Sequence, residues 1–335
     1  MLKTLPPNTL AWPRRAAIIG AGTMGLGVAE SWIAAGVAVT LIDVAPEQTR
    51  LAQARLAQRV QKHAEAGLVD PAVSARVAAM PVADDIASAV ADVDLVFEAV
   101  FERIEVKRTV LHAIEANARP TALIATNTSS LPIDDLAALL RHPQRFFGMH
   151  WFNPPEWTPG IELIPAQSSD PQAVEQARSF LQAIGKRPII VGSGPGFVAN
   201  RIQMSLFREA LACVEDGLAS PEAVDEVVRS CFGFRLPFFG PLQIADMAGL
   251  DVYRDVFGIL ERGLGERFQA PPTLVAQVDQ GRYGTKTGTG FFSYTAEERE
   301  QLLIARDRCY AALSELMEQL HEQAAPTDHD PGTTT

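Results

Sequence analysis

A histidine, a glutamate twelve residues further on and a glycine-rich turn far upstream are the residues of this chain whose types and spacing could do chemistry. His150 stands in the run FFGMHWFNPP, residues 146–155. An imidazole, with an ordinary pKa near 6.5, can take and return a proton around neutrality. Pro154 and Pro155 cannot continue a sheet ladder, so the run reads as a strand that ends just past His150 and presents its ring at a scaffold's edge. A histidine satisfied inside the core is the other reading of these ten residues. Glu162 lies inside the next apolar strand candidate, GIELIP (160–165). A carboxylate there is costly to bury unless it is paired. If the two strand ends face each other, Glu162 holds one imidazole nitrogen and supports the imidazolium; on an edge strand it simply faces solvent.

The upstream turn is Gly20-Ala21-Gly22-Thr23-Met24-Gly25, directly after the apolar run AAII and at the head of an apolar helical stretch. The first two glycines permit a tight turn and close approach of a pyrophosphate, and Gly25 lets helix and strand pack closely. Backbone N–H groups at the helix start, at Thr23 and Met24, then meet the anion. Asp43 ends the following strand candidate, VAVTLID, 18 residues after Gly25. A carboxylate in that place binds a ribose 2′-hydroxyl and repels a 2′-phosphate, and no arginine follows before Arg50, so the expected cofactor is NAD rather than NADP. A plain strand–turn–helix connection is the alternative.

The elements that position these groups follow from the pattern of the chain. Short apolar strands at AAII, VAVTLID, DLVFEAV, TALIATNT, RFFGMHW, GIELIP and RPIIVG alternate with helical stretches, which argues for a doubly wound, mainly parallel α/β sheet of Rossmann type with helices on both faces. After GSGPG, 192–196, no convincing strand remains, only amphipathic helices at about 197–219, 221–231, 241–264 and 295–323. The expected division is a nucleotide-binding domain over 1–193, an all-helical domain over 194–325 and a disordered tail over 326–335.

Composition excludes several classes. The 335 residues carry 29 Lys plus Arg against 40 Asp plus Glu, a net charge of −11, with no basic run; neither nucleic acid nor an anionic membrane surface is an expected partner. Cys213, Cys231 and Cys309 lack metal-ligand spacing and cannot all pair, so no metal is expected and a reducing compartment is. The first fifteen residues contain no signal-type apolar segment and no apolar run approaches a membrane span, so the chain reads as soluble and cytoplasmic.

In their order these pieces resemble the L-3-hydroxyacyl-CoA dehydrogenase family over about residues 14–294: the glycine turn with Asp43, FEAVFERIEVK, TNTSSL, GMHWFNPP, Glu162, GPGFVANR, GPLQIADMAGLD and KTGTGFFSY. The resemblance implies that His150 is the general acid/base and Glu162 its orienting partner, with Ser129 and Asn200 on the substrate's 3-oxygen. It implies cofactor-side places for Glu102, Lys107 and Asn127; solvated charges at a helix start are the plainer reading of the first two. It further implies a homodimer built on the helical domain, an active site between the domains, and reversible NAD-dependent oxidation of an L-3-hydroxy group, foremost that of a 3-hydroxyacyl-CoA in fatty acid metabolism. A non-catalytic NAD-binding protein on the same scaffold is the reading outside this class.

The substrate-side segment NPPEWTPGIE departs from the family pattern. Beside Asn153, Glu156 and Trp157 intrude where simple members carry an apolar run, and a carboxylate next to an indole suits a cationic group; a solvated loop charge and a lid are the alternatives. Family relatives that use no CoA act on carnitine, gulonate and an aldehyde of pyridoxine breakdown. The stretch 46–80 supplies Arg50, Arg55, Arg59, Lys62 and Arg76 as possible phosphate ligands, which helical surface charge explains equally well.

Overall fold

Near-continuous apolar runs such as Ala16–Ile19 have no polar face to offer water, and a strand of that kind is stable only between two layers. The computed structural model, which describes residues 2, 4–5, 11–43, 46–81, 83 and 85–324, places them so. In chain order, the first part comprises β1 (Arg15–Ile19), α1 (Thr23–Ala34), β2 (Ala38–Ile42), α2 (Pro46–Glu65), α3 (Ala72–Ala78), α4 (Ile86–Val90), β3 (Leu95–Glu98), α5 (Ile104–Asn117), β4 (Leu123–Thr126) and α6 (Ile133–Ala137). It continues with β5 (Phe146–Trp151), β6 (Gly160–Pro165), α7 (Pro171–Ala183), β7 (Arg187–Ile190) and the beginning of α8 (Ala199–Glu215).

The sheet order is β2-β1-β3-β4-β5-β6-β7, and every neighbouring pair is parallel except β5 with β6. One face is covered by α1, α2, α3 and α7 through a core that includes Trp32, Leu56, Val73 and Phe180. The other is covered by α4, α5 and α6 through Val90, Leu111, Ile114 and Leu136. This is the doubly wound arrangement expected from the alternation of strands and helices.

Contacts divide the chain between Phe207 and Arg208, inside α8. The later unit holds α9 (Pro221–Val227), α10 (Pro241–Ala248), α11 (Leu250–Leu264), α12 (Pro272–Asp279) and α13 (Ala296–Ala324). The single helix expected over 241–264 is two, because Gly249 takes a φ of 108° that ends one and starts the next. The helix expected over 221–231 keeps α-geometry only to Val227 and then widens into a π-turn over Val228–Phe232. Helix α12 was not expected. Within this unit Asp246, completely buried, accepts the amides of Phe291 and Phe292 and the hydroxyl of Tyr294, which fixes the KTGTGFFSY loop. Tyr310 of α13 packs edge-on against Phe234 and Phe239. The expected disordered tail, 326–335, lies outside the described residues.

Candidate active site

Antiparallel pairing of β5 with β6 sets His150 directly opposite Glu162, and cross-strand partners on one face lie close enough to interact. The His150 Nδ1 is 2.9 Å from Glu162 Oε2, with both residues nearly buried. The ring packs against Phe152 and Phe197. Because β7 pairs with the far edge of β6, Glu162 is not on an edge strand facing water. Its second oxygen accepts the amides of Val198 at 3.1 Å and Ala199 at 2.9 Å. The carboxylate thus ties the histidine to the residues that enter α8, next to Asn200. The plain core-histidine reading has the burial right; the ring's partner, however, is a carboxylate whose remaining oxygen is itself fully engaged.

The parallel strand ends bring the other groups to the same edge. Asn127 follows β4, and its Oδ1 accepts the amide of Trp151, one residue past His150, at 2.9 Å. Asn200 Nδ2 donates to the carbonyl of Ser129 at 2.9 Å. His150, Glu162, Ser129, Asn200 and Asn127 are therefore one connected group.

Lys107 is not a solvated helix-start charge, and Glu102, though exposed, is engaged by the protein. Lys107 is fully buried and donates to Glu98 at 2.8 and 3.1 Å, and it pairs with Glu102 at 3.3 Å. Glu102 accepts the hydroxyl of Thr128 and the amides of Ser129 and Ser130. Burial by itself would raise the Glu102 carboxyl; the Thr128 hydroxyl, the Lys107 ammonium and the two amides outweigh it and hold it below the ordinary carboxylate range. Glu102 thus supports the loop that carries Ser129, and Lys107 braces Glu102. Glu98, which also accepts from Thr126 at 2.6 Å and Val100 at 2.8 Å, escaped the sequence reading. Its signal is like that of Glu162: a lone carboxylate in an otherwise apolar strand.

The glycine turn fits a dinucleotide. A Cβ on Gly20, whose φ is 109°, would stand 2.4 Å from the Ala99 carbonyl oxygen, and one on Gly25 would stand 1.9 Å from that of Gly20. Around Gly22 there is open space, the clearance a pyrophosphate needs above the first turn of α1, where Thr23 and Met24 start the helix. Asp43 follows β2, and its Oδ2 accepts the amide of Ala21 at 2.8 Å, so the carboxylate is fixed against the turn it was expected to serve.

Neither expectation describes Glu156. It is buried, not a solvated loop charge, and its partner is Arg59 of α2, not an external cation. Trp157 packs against His63 at 5.3 Å between ring centres; Asn153 is exposed. Of the five possible phosphate ligands, Arg76 is also engaged, donating to the carbonyls of Ile33 and Ala34.

Comparison with known proteins matches residues 15–194 to the 3-hydroxyacyl-CoA dehydrogenase NAD-binding domain and residues 196–294 to the C-terminal domain of the same family. A 5-formyl-3-hydroxy-2-methylpyridine 4-carboxylate 5-dehydrogenase of Mesorhizobium japonicum is 37% identical over 91% of this chain and 98% of its own. A 3-hydroxybutyryl-CoA dehydrogenase of Bradyrhizobium diazoefficiens is 34% identical over 84% of this chain and 95% of its own. The crystal structure of a 5-formyl-3-hydroxy-2-methylpyridine 4-carboxylic acid 5-dehydrogenase, described as an NAD+-dependent dismutase, superposes with a TM-score of 0.69 at 36% identity, covering 91% of this chain and 99% of that one. With both parts of the sequence matched in order, and the glycine turn shaped for the nucleotide, the chain belongs to the 3-hydroxyacyl-CoA dehydrogenase family and is an NAD-dependent oxidoreductase.

Proposed function

We propose that the protein oxidises a hydroxyl-bearing carbon reversibly, with His150 as the base that takes the hydroxyl proton and Glu162 as its support. The observation that carries this reading is the buried His150–Glu162 pair, whose geometry leaves the opposite ring nitrogen, Nε2, for the substrate. NAD, when bound, supplies the hydride acceptor. Glu162 fixes the ring orientation and stabilises the imidazolium that forms as the proton arrives. Ser129 and Asn200, joined at the Ser129 carbonyl, hold the reacting oxygen, and the aromatic rings of Phe152 and Phe197 keep water from the imidazole face. Gly20, Gly22, Gly25 and Asp43 seat the dinucleotide.

The substrate expected first is a 3-hydroxyacyl-CoA. A second reading, a small acid or aldehyde without CoA, is the one we adopt, on two observations. A relative 37% identical over 91% of this chain, the pyridine-carboxylate dehydrogenase, is named for such a substrate. Arg59 and Arg76, two of the cations able to meet a nucleotide phosphate, are bound within the protein. An aldehyde reacts through its hydrate, whose hydroxyl proton passes to His150 as the hydride leaves. The deciding assay offers the purified protein acetoacetyl-CoA with NADH and, separately, 5-formyl-3-hydroxy-2-methylpyridine 4-carboxylate with NAD. Turnover of the CoA ester alone overturns the second reading; turnover of neither, together with an unimpaired His150→Ala variant on any substrate found, overturns the first.

A homodimer belongs to the same proposal. On α11, Val252, Val256 and Ile259 recur at helical spacing and are about half exposed or more; sedimentation at low ionic strength and micromolar concentration distinguishes dimer from monomer. No helix of the described residues is long and apolar enough to cross a membrane, and Cys213, Cys231 and Cys309 form no disulfide.

A further inference from the structure

Behind the loop that follows His150 lies a set of buried charges that the chemistry above does not use. Glu30, on α1, has a completely buried side chain and accepts Arg59 Nε at 2.9 Å and faces His63 Nδ1 at 2.5 Å. The other end of the Arg59 guanidinium pairs with Glu156 Oε1. Glu156 Oε2 is buried without a partner and lies against α1, where a Cβ on Gly27 would stand 2.6 Å from it and 2.4 Å from Pro155 Cγ. Lys186, just before β7, donates to the carbonyls of Pro155, Glu156 and Thr158 at 2.6, 3.0 and 2.9 Å, and its ammonium stands over the ring of Trp151, 5.2 Å from the centroid.

Buried ion pairs are poor stabilisers. Desolvation of both charges offsets most of their attraction, and apolar residues of similar volume commonly do as well. An acceptor left unpartnered adds to the cost. What a guanidinium bridging two carboxylates does supply is one geometry, because its planar fork meets both ends at fixed angles. Here the two ends are α1, whose first turn would face a bound dinucleotide, and the Asn153–Thr158 loop, which continues from the strand of His150. Gly27 clears the space for that loop to lie on the helix.

We propose that Arg59 is a positioning residue: its bridge between Glu30 and Glu156 locks the loop carrying Asn153 and Trp157 onto the dinucleotide helix, fixing the substrate wall beside His150. The proposal takes from the functional reading only the place of His150. It explains Glu156, whose carboxylate faces inward to Arg59 and so does not recruit a cationic ligand.

The test compares full-length wild type with Arg59→Lys and Arg59→Met. Lysine keeps the charge but, as a point donor, cannot span both carboxylates; it also serves if the methionine variant fails to fold. Hydrogen exchange is followed at the amides of Trp157 and Thr158, both donors to the Pro154 carbonyl. Exchange there should accelerate by about tenfold or more in Arg59→Lys while the amides of β3 and β4 stay protected. With whichever of the two assay substrates wild type turns over, KM should rise by about tenfold or more, with kcat and NADH affinity within about threefold. Unchanged loop exchange and unchanged KM in Arg59→Lys would overturn the proposal, and so would a uniform loss of protection across the whole sheet. If wild type turns over neither substrate, the exchange comparison still decides, so failure of the functional reading is seen separately.

Discussion

His150 and Glu162, twelve residues apart in the chain, are direct partners across β5 and β6, the one antiparallel pair of an otherwise parallel sheet, with Nδ1 and Oε2 2.9 Å apart. Reversal of one strand is what makes this possible, since a short loop can join antiparallel neighbours whereas a parallel crossover needs a dozen residues or more.

Replacing His150 by Ala should lower turnover by about 10²-fold or more, with NADH affinity unchanged, because the ring lies at the end of β5 and the nucleotide turn after β1. Glu162→Gln should reduce turnover in the same sense but less, since the glutamine oxygen can still accept the amides of Val198 and Ala199. Steady-state rates beside fluorescence titration of NADH check both; loss of binding in step with turnover would refute the assignment.

Asp43→Ala should cut discrimination between NAD and NADP by about tenfold, or roughly 1.4 kcal/mol, through loss of repulsion toward a 2′-phosphate. It should also weaken NAD itself, because Asp43 anchors the Ala21 amide of the glycine turn. Ratios of kcat/KM for the two cofactors measure the first effect, and an unchanged ratio removes Asp43 from ribose recognition.

Lys107→Met should destabilise the protein by about 3–5 kcal/mol, since it leaves the fully buried Glu98 without its counter-charge. Urea midpoints report this directly. A parallel fall in kcat beyond the loss of folded protein is expected, because Glu102 then holds the Thr128–Ser130 loop without its cation.

Burial pushes Lys186 down to about 8, against the opposing pull of Glu156. A base whose pKa is lowered by folding is protonated less often in the folded than in the unfolded chain between about pH 8 and its ordinary value near 10.5, so stability contributed by this group rises with pH across that window. Relative to Lys186→Met, wild type should therefore gain stability from pH 8 to pH 10, and be flat below pH 7. Denaturation midpoints of the two proteins at matched pH give the difference; a fall over that window would contradict the sign.

How much was legible in advance differs from residue to residue. GAGTMG with Asp43, and FFGMHWFNPP with its terminating prolines, are local signals: glycine conformations, strand-stopping prolines and apolar periodicity act within a few residues, so the α/β architecture and the His150 strand end could be read from spacing alone. The break at Gly249 could not, because a helical pattern continues on both sides of it and the positive φ shows only in the folded backbone. Glu98, Lys107, Glu102, Arg59 and Glu156 are all charged residues whose sequence neighbours do not reveal whether they face water. By itself, the sequence determined the strands, the nucleotide turn and the chemical types available at the strand ends. Tertiary structure decided which charges meet: burial makes an isolated charge too costly to keep, so Glu98 and Glu156 are met by cations 9 and 97 residues away, a choice that only the packed sheet and its helices could make.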